Sequence, residues 1–207
     1  MMNTVKKSLL AAALLATGIV CAAQVESELA TEIRGAPTEE NAKFEWGEAR
    51  WIMTTDEHPY QLFRGTYKLD SVLRDARLHF YAGNKKHDIY RLYVNGRFAG
   101  EGPRRGNMLV SRTFQVDELL QPGVNVIAVQ LFTCQRFSRE RGRVVCRLED
   151  GNGDPLLISD AKWRHTPALM WTHGVPLSTT FIPAEVCDLR EEIRGWNRAE
   201  FDDSAWM

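Results

Sequence analysis

The chain has 207 residues, with 26 Lys and Arg against 27 Asp and Glu and a formal net charge of −1. That balance leaves no electrostatic footprint for nucleic acid or for an anionic membrane surface. The length suits one good domain with some chain to spare.

The first segment reads as a secretory signal peptide over residues 1–23. Lys6 and Lys7 form a basic region, Leu9 to Val20 supply an apolar stretch, and Cys21-Ala-Ala23 offers small residues for cleavage after Ala23. The stretch is shorter than the roughly 20 apolar residues a bilayer crossing needs. Gly18-Ile-Val20 does not offer the small residue expected just before a lipidated cysteine. The expected destination is therefore periplasmic or secreted, with no membrane association after cleavage. Loss of Lys6 and Lys7 makes the remainder more acidic. Of the four cysteines, Cys134, Cys146 and Cys187 would remain, allowing at most one bridge. Cys134 and Cys146 could close a hairpin, or stand as small apolar residues in strands.

Residues 24–43 are polar and small and read as a flexible leader. A β-sandwich is expected over 44–166. Ala76-Arg-Leu-His-Phe-Tyr-Ala82 alternates, with Leu78 and Phe80 on one face and Arg77, His79 and Tyr81 on the other. Ile89 to Val94 follows and ends at Asn95-Gly96, a two-residue hairpin signal of the type I′ class, with Arg97-Phe-Ala starting the return strand. Ser111 to Val116 alternates again, and Val124 to Phe132 is almost continuously apolar, as in a strand covered on both faces. Arg143 to Leu148 should pair with Leu156 to Ser159 across Glu149 to Pro155. Short strands at this spacing, without a helical period, indicate an all-β sandwich or jelly roll. Thr166 to Pro183 loses the alternation and carries three prolines, which reads as a long loop or linker.

Carboxylate pairs are weak candidates for chemistry. Asp202-Asp203 and Glu191-Glu192 are sequence neighbours, and neighbouring side chains do not face one substrate on a strand or a helix. Asp150-Gly-Asn-Gly-Asp154 opens like a calcium loop, but Pro155 and Ala161 occupy the positions that need glycine and glutamate. A β-turn explains it. The five histidines are scattered, so no metal and no cofactor are expected. Aromatic side chains are better candidates, because sugar C–H faces stack on indole or phenol rings while polar neighbours bond the hydroxyls. Trp171 with His173, and Tyr60 with His58, sit in stretches that read as loops. Gly102-Pro-Arg104-Arg105 adds two guanidinium donors. Trp46, Trp51, Trp163 and Trp196 are expected in the core or at a domain contact.

Four stretches together resemble the N-terminal, non-catalytic part of bacterial α-L-rhamnosidases. They are Tyr90-Arg-Leu-Tyr-Val-Asn-Gly-Arg-Phe-Ala-Gly-Glu-Gly-Pro-Arg104, Leu120-Gln-Pro-Gly-Val-Asn-Val-Ile-Ala-Val129, Ser159-Asp-Ala-Lys-Trp163, and Glu185-Val-Cys-Asp-Leu-Arg190 running into Gly195-Trp196 and Phe201-Asp-Asp-Ser-Ala-Trp206. Cys187 departs from the pattern, where an aromatic residue would be expected. The resemblance implies a galactose-binding-like sandwich with an irregular C-terminal extension, 167–207, that is a linker and the start of a second, truncated β-domain. In the family the catalytic carboxyl groups of an inverting glycosidase lie in a later helical domain, so no catalytic residue transfers to this chain. The implied partners are a rhamnose-containing glycan and downstream domains of the same polypeptide. The implied role is packing and carbohydrate contact, with a free-standing carbohydrate-binding module as the alternative.

Overall fold

The computed structural model describes residues 44–82, 88–102, 111–133, 142–176 and 183–207. Twelve strands are described in chain order. They are β1 (Ile52–Met53), β2 (Tyr60–Leu69), β3 (Arg77–Ala82), β4 (Ile89–Val94), β5 (Arg97–Gly102) and β6 (Arg112–Gln115), then β7 (Gly123–Phe132), β8 (Arg143–Glu149), β9 (Pro155–Ile158), β10 (Arg164–Pro167), β11 (Trp171–Pro176) and β12 (Pro183–Cys187). Short 3₁₀ turns lie at Asp117–Leu119 and Leu189–Glu191. The expected signal peptide and leader fall outside the described residues.

The strands form two antiparallel five-stranded sheets and a hairpin. One sheet runs β1-β8-β3-β6 with β9 also on β8, and the other runs β10-β2-β7-β4-β5. β11 and β12 pair separately. The sheets enclose a core that includes Phe63, Leu78, Phe80, Leu92, Phe114, Ile127, Val129, Leu131, Leu148 and Trp163. Each side chain of this kind contributes roughly 1.5–3 kcal/mol by leaving water, which makes the interface between the two sheets the main source of stability. The all-β sandwich is thus the fold.

Local sequence explains the elements it marked. In β3, Leu78 and Phe80 face the core, fully buried, while Arg77 points outward. Asn95 and Gly96 have φ of 51° and 79°, the left-handed pair a type I′ turn requires. The Asn95 side chain then donates to Leu119 O at 2.9 Å and to Asn125 Oδ1 at 2.7 Å, and accepts from Val126 N at 2.9 Å. That locks the β4–β5 hairpin to the start of β7. Cys146 is a buried free thiol in β8 and Cys187 an exposed one, and Cys134 falls outside the described residues.

Two sequence expectations are corrected. Thr166 to Pro183 is not simply a loop, because β10 ends at Pro167 and the β11–β12 hairpin occupies Trp171–Pro176 and Pro183–Cys187. The prolines at 167, 176 and 183 sit at strand ends, where a missing N–H is tolerated. The stretch from Tyr60 is not a loop either. It is the ten-residue strand β2, paired over its whole length with β7. Gly65 has no room for a Cβ, because the indole of Trp163 packs against its Cα.

Candidate functional site

β2 and β7 are the central strands of the second sheet, and their outward residues would meet water were the sheet bare. Tyr60, Leu62 and Phe132 instead form a second buried cluster with Ala168, against which Trp171, Ile193, Trp196 and Trp206 pack. The cover comes from the chain after β10. Ala168 N donates to Tyr60 O at 2.9 Å, and Asp188 N donates to Met170 O at 2.8 Å, which ties the exit of β12 to the turn before β11. His165 and Met207 exchange both backbone hydrogen bonds, at 2.8 and 3.1 Å, along the edge of β10.

Arg64, 1% exposed on the outer face of β2, organises this cover. Its Nε pairs with Asp203 Oδ2 at 2.7 Å. Its remaining donors reach Trp196 O, Arg198 O at 2.9 Å and Phe201 O at 3.3 Å. The guanidinium also lies 5.2 Å from the Phe201 ring centroid. A buried cation is costly unless its donors are satisfied; here the carbonyls of an irregular segment satisfy it. Phe201 to Met207 is thereby held as an irregular turn, not a strand.

Between this cover and the sheet lies a cleft of about 220 Å³. Its floor includes Arg91 and Gln130, directly opposite one another in the β4–β7 register. One wall is Met170-Trp171 and the other is Glu191 to Ile193 with Trp196. Tyr93 meets Trp196 edge to face at 5.7 Å and 81°. Trp171 stacks on Tyr60 at 6.1 Å and 29°. Among the described residues, the side chains of Arg91, Gln130 and Glu191 make no hydrogen bond or ion pair. The cleft therefore offers aromatic surface together with unspent donors and acceptors.

The sequence-derived candidates separate on this map. Trp171 lines the cleft. Tyr60 lies beneath it, 2% exposed, stacked on Phe132 at 4.8 Å and donating its hydroxyl to Glu185 Oε1 at 3.2 Å. Its ring supports Trp171 rather than presenting a surface. His173 stands on β11 opposite Glu185 in β12. Arg104 and Arg105 lie outside the described residues. Arg91, Gln130 and Tyr93 were not singled out from sequence, and Glu191 appeared there only as a weak carboxylate candidate beside Glu192. The alternation of β4 does send Arg91 and Tyr93 outward, but only the fold-back of residues 188–196 makes them part of a cleft.

A second polar cluster lies on the outer face of the first sheet. His79 Nδ1 is 2.9 Å from Thr113 Oγ1, and its Nε2 is 3.1 Å from Glu149 Oε2. Glu149 also pairs with Arg147 at 2.7 Å. The order hydroxyl, imidazole, carboxylate has the form of a nucleophile relay. The Phe44 ring stacks over the imidazole at 3.9 Å and 14°, however, and all three residues are buried. Burial holds the His79 pKa below its ordinary value, with Glu149 opposing that shift and Arg77 and Arg147 adding to it. The cluster seats the segment at Phe44 on the sheet. At Asp150 to Asp154 the carboxylate of Asp150 accepts from Asn152 N at 2.8 Å and Asp154 N at 3.0 Å, closing a β-turn. Those backbone donors, Asp154 first, pull its pKa down. Among the described residues no group of three His, Cys, Asp or Glu side chains could hold a metal ion, and no helix is long and apolar enough to cross a membrane.

No family model and no curated protein matches the sequence. Among solved structures, a GH78 family rhamnosidase of Bacillus sp. GL1 matches with a TM-score of 0.64 and 26% identity, over 79% of this chain and 18% of its own. The α-L-rhamnosidase of Dictyoglomus thermophilum matches with a TM-score of 0.60 and 21% identity, over 78% and 20%. A Pleurotus ostreatus lectin, solved with GalNAc, matches with a TM-score of 0.50 and 18% identity, over 79% and 41%. The chain thus spans about a fifth of the length of the rhamnosidases it matches, and its fold is similar to a β-sandwich region of GH78 α-L-rhamnosidases.

Proposed function

We propose that this chain is the exported, non-catalytic N-terminal part of an α-L-rhamnosidase-like glycoside hydrolase. In that role it packs against downstream domains of the same polypeptide and contacts a rhamnose-containing glycan. The observation that carries the reading is the match over 79% of this chain to 18% of a GH78 rhamnosidase at 26% identity. An inverting glycosidase needs two carboxyl groups about 6.5–9.5 Å apart on either side of the scissile bond. No family catalytic motif matches a position in this sequence, so the chemistry is assigned to other parts of such an enzyme.

Trp171, His173, Tyr60, Arg104 and Arg105 remain the proposed carbohydrate contacts from sequence, with Tyr60 acting from beneath Trp171. A second reading, a free-standing carbohydrate-binding module, is favoured by the aromatic and polar lining of the cleft, which this chain supplies.

The test is an affinity screen of the purified chain against rhamnose-containing and rhamnose-free plant glycans, with turnover of an aryl rhamnoside followed in parallel. Retention of rhamnose-containing glycans without turnover is the expected result. Turnover that disappears on substitution of a single carboxylate would overturn the non-catalytic assignment, and failure to retain any glycan would overturn carbohydrate contact.

A further inference from the structure

The cleft on the second sheet is more specific in its chemistry than a general sugar-contact surface. Resting on the carbohydrate reading above, we propose that it is a subsite for one neutral pyranose ring. Its volume, about 220 Å³, falls below the roughly 300–1,000 Å³ of pockets that enclose drug-sized ligands. That suits a single ring and not an oligosaccharide.

The lining is divided as a pyranose is divided. Trp171 and Trp196, with Tyr93 against the latter, offer apolar faces for the C–H side of a ring. Arg91 and Gln130 sit side by side on the floor and carry donors and an acceptor that no described residue uses. Glu191 adds a carboxylate without a hydrogen-bond partner among the described residues, whereas neighbouring Glu192 is paired with Arg194 at 3.1 Å. A hydroxyl both donates and accepts, so it can bridge a guanidinium and a carboxylate at once. An anionic ligand such as a uronate would gain Arg91 but meet the uncompensated carboxylate of Glu191, and like charges at that range are unfavourable.

The walls are fixed before any ligand arrives. The Asp188 to Met170 bond holds one side, and the Trp196 carbonyl is held by buried Arg64. Preorganisation of this kind lowers the ordering cost of binding.

The experiment titrates the purified chain with methyl α-L-rhamnoside, methyl α-glucoside and galacturonate by tryptophan fluorescence and calorimetry, alongside Arg91→Ala and Gln130→Ala. Arg91 is exposed and unpartnered among the described residues, so its loss should leave the melting temperature unchanged. The expected result is binding of at least one neutral pyranoside, weakened about tenfold or more by Arg91→Ala, since hydrogen bonds to a charged group are worth roughly that factor. Gln130→Ala should weaken it to a smaller extent. Wild-type binding that both variants leave intact would place the sugar elsewhere and sink the subsite, while carbohydrate contact would stand. Tighter binding of galacturonate would overturn the neutral-ligand assignment. Absence of binding by all three sugars to wild type, together with retention of longer glycans in the affinity screen, would also overturn the subsite and leave the broader reading. Absence in both would end both.

Discussion

His79 shows how one side chain on a sheet surface acquires a pH-dependent role. It lies mid-strand in β3, opposite Thr113 in β6 and Arg147 in β8, and the Phe44 ring closes over it. Burial favours the neutral imidazole and lowers its pKa from the ordinary 6.5. Glu149 pulls the other way, and Arg77 and Arg147 reinforce the shift. A base with a lowered folded pKa binds fewer protons folded than unfolded in the interval below pH 6.5, so stability rises with pH there and is lost as pH falls through it. His165, also buried with a lowered pKa, acts in the same direction. Urea unfolding at several pH values between 5 and 7 should show this slope. His79→Gln keeps a donor and an acceptor at the site but cannot titrate, and should flatten the slope by up to about 1.4 kcal/mol per pH unit. An unchanged slope would mean that His79 titrates alike in both states.

At the scale of elements, β2 does the most to connect fold and site. Its inward residues join the sandwich core, while Tyr60, Leu62 and Arg64 receive the chain that folds back after β10. Removing the Arg64 cation would leave Asp203, three carbonyls and the Phe201 ring without their common partner. Arg64→Met should destabilise the protein by about 2–4 kcal/mol, toward the low side of a broken buried pair because Asp203 is 24% exposed. Limited proteolysis should then cut within 188–207 first; cleavage spread evenly over the sandwich would show that Arg64 does not hold this cover. β2 was hidden in the sequence because Gln61, Arg64 and Gly65 interrupt an apolar alternation. The groups that make a buried Arg64 tolerable lie more than 130 residues away. β3, β4, β7 and β8 were legible because each carries its own period or turn signal, Asn95-Gly96 above all. Trp171 was legible as an aromatic candidate. Arg91 and Gln130 were not, since their juxtaposition exists only in the β4–β7 register.

For the whole molecule, the question is whether the stretch after β10 is a separate unit. Sequence resemblance suggested a boundary near residue 166, with a linker and the start of another β-domain beyond it. Among the described residues, the contacts that cross this boundary are of kinds that couple folding. The Tyr60 cluster is shared between the two sides, buried Arg64 spends its donors on residues 196–203, and Met207 closes the edge of β10. Exposing that cluster would return the side chains of Tyr60, Leu62 and Phe132 to water, at roughly 1.5–3 kcal/mol each. That is a large fraction of the 5–15 kcal/mol by which domains are stable. Unfolding of the sheets and of the C-terminal segment should therefore be a single transition. A tryptophan reporter is available, because Trp171, Trp196 and Trp206 all lie in the cover. With Trp46, Trp51 and Trp163 replaced by phenylalanine, their fluorescence should follow the same denaturant midpoint as the far-ultraviolet circular dichroism of the sheets. A fluorescence midpoint well below the dichroism midpoint would mean that the cover detaches first. The cleft would then open and close independently of the sandwich, and its walls would not be preorganised.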